Sequence, residues 1–144
     1  TEEFNSVSRH SVGHFTFEKS PLACAAGLAV IKYIEQNNIL QSVLHLENEF
    51  RNWGKYLMNT YSKIGDMRGI GLLWGIELVK YRNTKEKATK EAEQIMYYCL
   101  THGLSFKVSM GNVLTLSPSL IIKEYELHKA FSILDDAFKT FLKE

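Results

Sequence analysis

Between residues 65 and 79 the hydrophobic pattern changes period, and this change limits the possible folds more than any other feature. Leu72, Trp74, Ile76 and Leu78 alternate with Leu73, Gly75, Glu77 and Val79, the two-residue repeat of a strand. Both flanks repeat at helical spacing instead. Upstream, Ser20-Pro21 opens a helix that is expected to run to about Gln36, because Ser is a good N-cap and Pro suits the first helical position. The turn-prone pair Asn37-Asn38 ends it. A second helix is expected from Ile39, with Leu40, Val43, Leu44, Phe50, Leu57 and Tyr61 on one side and Glu47 and Gly54 interrupting the stripe.

Downstream, the charged run Lys80 to Lys87 reads as a solvated loop. Ala88 to His102 carries a helical stripe of Ala88, Ala92, Ile95, Met96 and Cys99, stopped by Gly103. Leu104, Phe106 and Val108 alternate in a short strand. Met110-Gly111-Asn112 turns it into a second strand, Val113 to Leu116, as a hairpin. Lys123 to Leu142 forms a final helix on Leu127, Ala130, Phe131, Leu134, Phe138 and Phe141. The expected order is α-α-β-α-β-β-α, an α+β fold with a small, mostly antiparallel sheet covered by helices. Residues 1–20 read as a loop or arm of a preceding domain, 21–64 as lead-in helices and 65–144 as a small C-terminal domain.

Charge narrows the function. With 17 basic and 16 acidic residues the net charge is +1, so nothing favours nucleic acid or a membrane surface. The longest uncharged apolar run, Pro21 to Ile31, is far short of the roughly 20 residues that span a bilayer. The polar start Thr1-Glu2-Glu3 does not read as a secretory leader. Cys24 and Cys99 lack C-x-x-C spacing and fall on expected helix faces, so both read as reduced core thiols in a cytoplasmic protein. The missing initial Met suggests a piece of something longer.

The richest stretch chemically is Ser11 to Gly27, S-V-G-H-F-T-F-E-K-S-P-L-A-C-A-A-G. A polar loop with a hydroxyl at Thr16 runs into a helix so poor in side-chain bulk that another element can approach it closely. It resembles the T-F-x-x-N-P-L-A-C-A-A segment of class III (fold type I) pyridoxal-phosphate-dependent aminotransferases. Thr16, Phe17, Pro21, Leu22, Ala23, Cys24, Ala25 and Ala26 match, and Ser20 stands where Asn is usual. Two further stretches agree in order. Asp66 to Leu78 is similar to that family's D-x-R-G-x-G-L-x-x-G-I-E-L strand, and Gly111 to Leu120 to its G-N-V-x-R-L-x-P-P-L segment.

The resemblance implies pyridoxal 5'-phosphate as cofactor and amino transfer from an amine or amino acid to a 2-oxo acid in a cytoplasmic homodimer. It implies that Thr16 binds the cofactor phosphate of the neighbouring subunit, which suits a hydroxyl and loop N–H groups before a helix N-terminus. The Schiff-base lysine would precede Thr1. None of Lys19, Lys32, Lys55 or Lys63 has the matching context, so no catalytic residue is assigned and the isolated chain is expected to be inactive. Arg68 is expected to be structural, fixing the turn between strands.

One position departs from the family pattern. Many members carry Arg where this chain has Thr115, and a Thr cannot pair bidentately with a substrate carboxylate. Arg68 or Lys107 could take that role, although each reads first as a structural or surface residue, so the substrate-binding residues stay unassigned.

Other chemistry finds little support. Gly69-x-Gly71-x-x-x-Gly75 lacks phosphate-loop spacing and reads as close backbone packing or a bulge. His10 and His14 would share a helix face, but the loop-like Ser11-Val12-Gly13 separates them, so no metal is expected. His45, His102 and His128 read as scattered and unpaired. The competing reading is a non-catalytic ferredoxin-like regulatory or oligomerisation module formed from Gly65 onward. It leaves the Thr16 to Ala26 match unexplained. A chain that exposes the apolar side of its first helix is also expected to self-associate.

Overall fold

A computed structural model describes residues 20–142. The described residues fall into two units that part between Asn38 and Ile39. In the first, α1 spans Pro21–Gln36, with Ser20 as N-cap accepting from the Ala23 amide at 3.4 Å. None of its residues is buried, and Cys24 is exposed. Cys24 therefore corrects the expectation of two core thiols, since no residue of its helix is buried. The helix ends as expected. The Asn37 side-chain amide donates to the Tyr33 carbonyl, and Asn38 takes a φ of 51°.

The second unit comprises α2 (Ile39–Thr60), β1 (Ile64–Ile70), β2 (Leu73–Leu78), α3 (Thr89–Thr101), β3 (Lys107–Ser109), β4 (Val113–Leu116) and α4 (Glu124–Phe141). The α+β class and the antiparallel sheet match expectation, with one more strand than the pattern suggested. Gly65 to Ile70 pairs with β2 to make β1. Its four polar or glycine positions, Gly65, Asp66, Arg68 and Gly69, against two apolar ones conceal the two-residue alternation.

The sheet order is β1-β2-β4-β3, antiparallel throughout. Trp74, Ile76, Leu78, Leu114 and Leu116 are buried on one face. They pack against Phe50 and Leu57 of α2, Ile95 and Cys99 of α3, and Leu127, Leu134 and Phe138 of α4, which complete the core. The buried stripe of α2 is Ile39, Val43, Leu46, Phe50, Gly54 and Leu57. Leu40 and Leu44 lie outside it and are exposed. Gly54 belongs to the buried face because the Met67 sulfur would lie 2.8 Å from any Cβ placed there.

Turn chemistry fixes the joints. Gly103, at φ 85°, ends α3: the Leu104 amide donates to the Cys99 carbonyl and the Gly103 amide to that of Leu100, the paired bonds of a Schellman stop. At the N-terminus of α4, the Glu126 carboxylate accepts from the Lys123 amide at 2.8 Å and occupies one of the helix's free donors. Among the described residues no helix is long and apolar enough to cross a membrane.

Candidate functional site

Residues directly opposed across antiparallel strands share a face, so the register defines the polar side of the sheet. One row runs Arg68, Gly75, Thr115 and Lys107 across all four strands. The neighbouring row runs Asp66, Glu77, Val113 and Ser109. Arg68 Nη1 donates to Asp66 Oδ2 and Glu77 Oε2, both at 2.7 Å. These bonds hold its pKa above the ordinary guanidinium value. Arg68 therefore ties β1 to β2 across the width of the hairpin, rather than at the turn itself.

The turn has its own fastening. The Gly71 amide donates to Glu47 Oε2 at 2.8 Å, and the Trp74 indole N–H donates to the Gly71 carbonyl at 2.8 Å. Arg51 also bonds Glu47. The Arg51 hydrogen bond, followed by that from Gly71, lowers the Glu47 pKa. At Gly69 a Cβ would come within 2.4 Å of the Leu73 carbonyl oxygen and of the Trp74 ring. The glycines thus serve close packing, as their spacing suggested.

Thr115 lies on the polar face, its hydroxyl 2.9 Å from Ser109 Oγ. Thr115 and Lys107 also border a cavity of about 160 Å³, whose other walls include Phe50, Leu104, Leu127 and Phe131. This lining is largely apolar and holds no buried acid, base or nucleophile. The arginines of the described residues are all engaged. Arg51 meets Glu47, Arg68 meets its two carboxylates, and Arg82 donates to the carbonyls of Ile64 (2.9 Å), Met58 (2.5 Å) and Tyr61 (2.8 Å). Arg82 was missed in the sequence because it sits in a charged run that looks solvated.

A cofactor bearing an aldehyde needs a lysine held neutral by burial, with an acidic partner for its ring. The described lysines do not fit. Lys63 lies 3.9 Å from Glu91, Lys80 pairs with Glu86, and Lys139 with Asp135 and Asp136. Hydrogen bonds to these carboxylates raise the pKa of Lys80 and Lys139, opposite to the shift such chemistry needs. Lys32, Lys55 and Lys107 are exposed. Thr16, His10, His14 and Lys19 lie outside the described residues.

The other histidines are less isolated than the sequence suggested. His45 Nε2 is 3.0 Å from Glu124 Oε2, and His128 Nε2 is 3.0 Å from Glu49 Oε2. His102 Nδ1 lies 2.7 Å from the Tyr98 carbonyl oxygen. The available signal was the pair of one-turn repeats H-x-x-x-E at 45–49 and E-x-x-x-H at 124–128.

Comparison with known proteins assigns the frame. Residues 2–138 match the model of the family described as aminotransferase class-III. Over 143 residues the chain is 47% identical to an (R)-1-hydroxy-2-aminoethylphosphonate ammonia-lyase of Vibrio splendidus, covering 99% of this chain and 30% of that protein. It is 38% identical to a leucine/methionine racemase of Thermococcus litoralis, over 88% of this chain and 29% of that one. Among solved structures, an aminotransferase of Bacillus anthracis superposes with a TM-score of 0.80 at 29% identity, covering 90% of this chain and 30% of that one. An amine transaminase from an uncultivated Pseudomonas species, in its pyridoxal-phosphate-bound form, gives 0.82 at 26%, covering 93% and 31%. The chain thus spans about 30% of the length of the curated relatives it matches. With its fold, its ordered motifs and this match in agreement, the chain belongs to the class III aminotransferase family.

Proposed function

We propose that this chain is the C-terminal part of a pyridoxal-phosphate-dependent class III enzyme that works as a cytoplasmic homodimer. In this reading residues 65–144 form the small domain. The observation that carries it is the family match over residues 2–138, joined to a sheet face and helical lead-in but, among the described residues, no lysine suited to the cofactor. Pyridoxal phosphate, when bound, supplies an electron sink for chemistry at the amino-bearing carbon. The part assigned to this chain is an anchor: the Thr16 hydroxyl and the amides preceding α1 receive the phosphate of the neighbouring subunit. In the complete enzyme, Thr16→Val is expected to weaken cofactor binding about tenfold or more, since hydrogen bonds to charged groups are worth about 1.5–3 kcal/mol. An unchanged cofactor Kd in that variant would remove Thr16 from the site.

The family reaction is amino transfer from an amine or amino acid to a 2-oxo acid. A second reading is elimination of ammonia from an amino substrate bearing a phosphonate in place of a carboxylate. It draws on the ammonia-lyase at 47% identity and on Thr115, which offers a hydroxyl where a guanidinium would grip a carboxylate. The two separate cleanly. Amino transfer needs a 2-oxo acid and converts it to an amino acid, whereas elimination releases ammonia without an acceptor. Product analysis of the complete enzyme, with 2-aminoethylphosphonates and with amino acids, each with and without pyruvate, decides between them.

A further inference from the structure

Away from the sheet's polar face, α2 and α4 bring two histidines and two glutamates together. The helices run parallel at a constant offset. His45 meets Glu124, Glu49 meets His128, and Tyr56 meets Asp135, each pair 79 residues apart. His45 and Glu49 are one turn apart on α2, while Glu124 and His128 are one turn apart on α4 in the opposite order. Two positions one turn apart on each helix therefore alternate imidazole and carboxylate across the groove.

The floor beneath them is rigid. Phe131 packs edge-on to Phe50 with ring centres 5.0 Å apart, and it stacks on Trp53 at 4.1 Å. The His128 ring lies 6.3 Å from that of Phe131. One donor atom from each of Glu49, Glu124 and His128 lies within 4.8 Å of the others. His45 Nε2 adds a fourth at 3.0 Å from Glu124. Ligand bonds of about 2.0–2.2 Å require neighbouring donors roughly 3.3 Å apart in a tetrahedron, so the side chains must rotate inward to bind, His45 most of all because it lies outside the 4.8 Å group.

Charge supplies the reason for a ligand. Carboxylate oxygens of Glu49 and Glu124 lie within 4.8 Å of one another, two like charges held together. Among the described residues neither Glu49 nor Glu124 pairs with a lysine or arginine. A divalent cation restores the balance, and neutral imidazole nitrogens with carboxylate oxygens are donors that zinc accepts. We propose that His45, Glu49, Glu124 and His128 form a surface site for a zinc-class divalent ion that clamps α2 to α4.

Zinc titration of the full 144-residue chain, read by calorimetry and by Tm, tests the site. One ion per chain is expected, with Tm rising as zinc exceeds its Kd. Cobalt substitution is expected to give the strong visible absorption of a four-coordinate ion. Even partners outside the ligand shell cost about 10–100-fold when removed, so His128→Ala and Glu49→Gln should each weaken binding at least tenfold. Both side chains are at the surface, so the far-ultraviolet circular dichroism without metal should not change. A variant with His10→Ala and His14→Ala should bind zinc as before. Absence of saturable binding, binding retained by both H128A and E49Q, or binding lost with His10 and His14 would each overturn the proposal.

Discussion

Gly69 shows how much one missing methyl group matters. Its backbone lies so close to β2 that an added Cβ meets both the Leu73 carbonyl oxygen and the Trp74 ring at 2.4 Å, and neither can retreat cheaply. Gly69→Ala is expected to destabilise the fold by about 1–3 kcal/mol, measured as a lower denaturation midpoint with an unchanged m-value. The thiols differ just as sharply. Burial pushes Cys99 up to about 12, while Cys24 is exposed. A thiol reagent at pH 8 is expected to modify one cysteine in the folded chain and two in denaturant. Two fast-reacting thiols in the native chain would contradict the packing of α3.

Asp135 gives a pH dependence whose sign follows from its neighbours. Burial alone would raise its pKa, but hydrogen bonds from Lys139, Tyr61 and Tyr56 outweigh that and hold it below the ordinary carboxylate value. Folding therefore favours the ionised form. The stabilisation is fully present above the unfolded carboxylate pKa of about 4 and is lost as pH falls through the lower folded value. The Tm gap between the native chain and Asp135→Asn is expected to be widest near neutrality and to narrow below about pH 4. A gap that widened in acid would refute the ion-pair account.

At the scale of elements, helices were legible where apolar spacing was clean. α1 begins at Pro21 and ends at Gln36 because Ser20-Pro21 and Asn37-Asn38 are local signals. The same is true of the β3–β4 hairpin, whose turn contains Gly111. β1 was not legible because its stability comes from its partner: cross-strand bonds to β2 and the Arg68–Glu77 pair replace an apolar stripe. Arg82 was hidden for a related reason, since its three carbonyl partners lie 18–24 residues upstream. Arg82→Ala removes a charged donor from the Met58, Tyr61 and Ile64 carbonyls, of which Tyr61 keeps the Ile64 amide, and is expected to cost about 1–3 kcal/mol, with Arg82→Lys recovering only part of it. A loss within error in chemical denaturation would mean that water satisfies those carbonyls equally well.

For the molecule as a whole, the candidate site was legible only as motif. Thr16 rests on its match to the family and on the physics of a loop before a helix, and its placement lies outside the described residues. The histidine–glutamate quartet needed the pairing of α2 with α4, which no single-helix pattern contains. The exposed Leu22, Leu28, Val30, Ile31 and Tyr33 of α1 support self-association of the isolated chain. Light scattering is expected to show a mass that grows with concentration, and a constant monomer mass would count against this.

The central claim is that this chain holds part of a cofactor-dependent enzyme without its covalent lysine. Pyridoxal phosphate added to the purified chain, followed by borohydride reduction and peptide mass analysis, tests it most directly. The account expects no stoichiometric adduct, only scattered, substoichiometric labelling of exposed lysines such as Lys32 and Lys55. A single lysine of this chain labelled to completion, with an absorbance band that saturates at one cofactor per chain, would contradict it and make the chain a cofactor-binding protein in its own right.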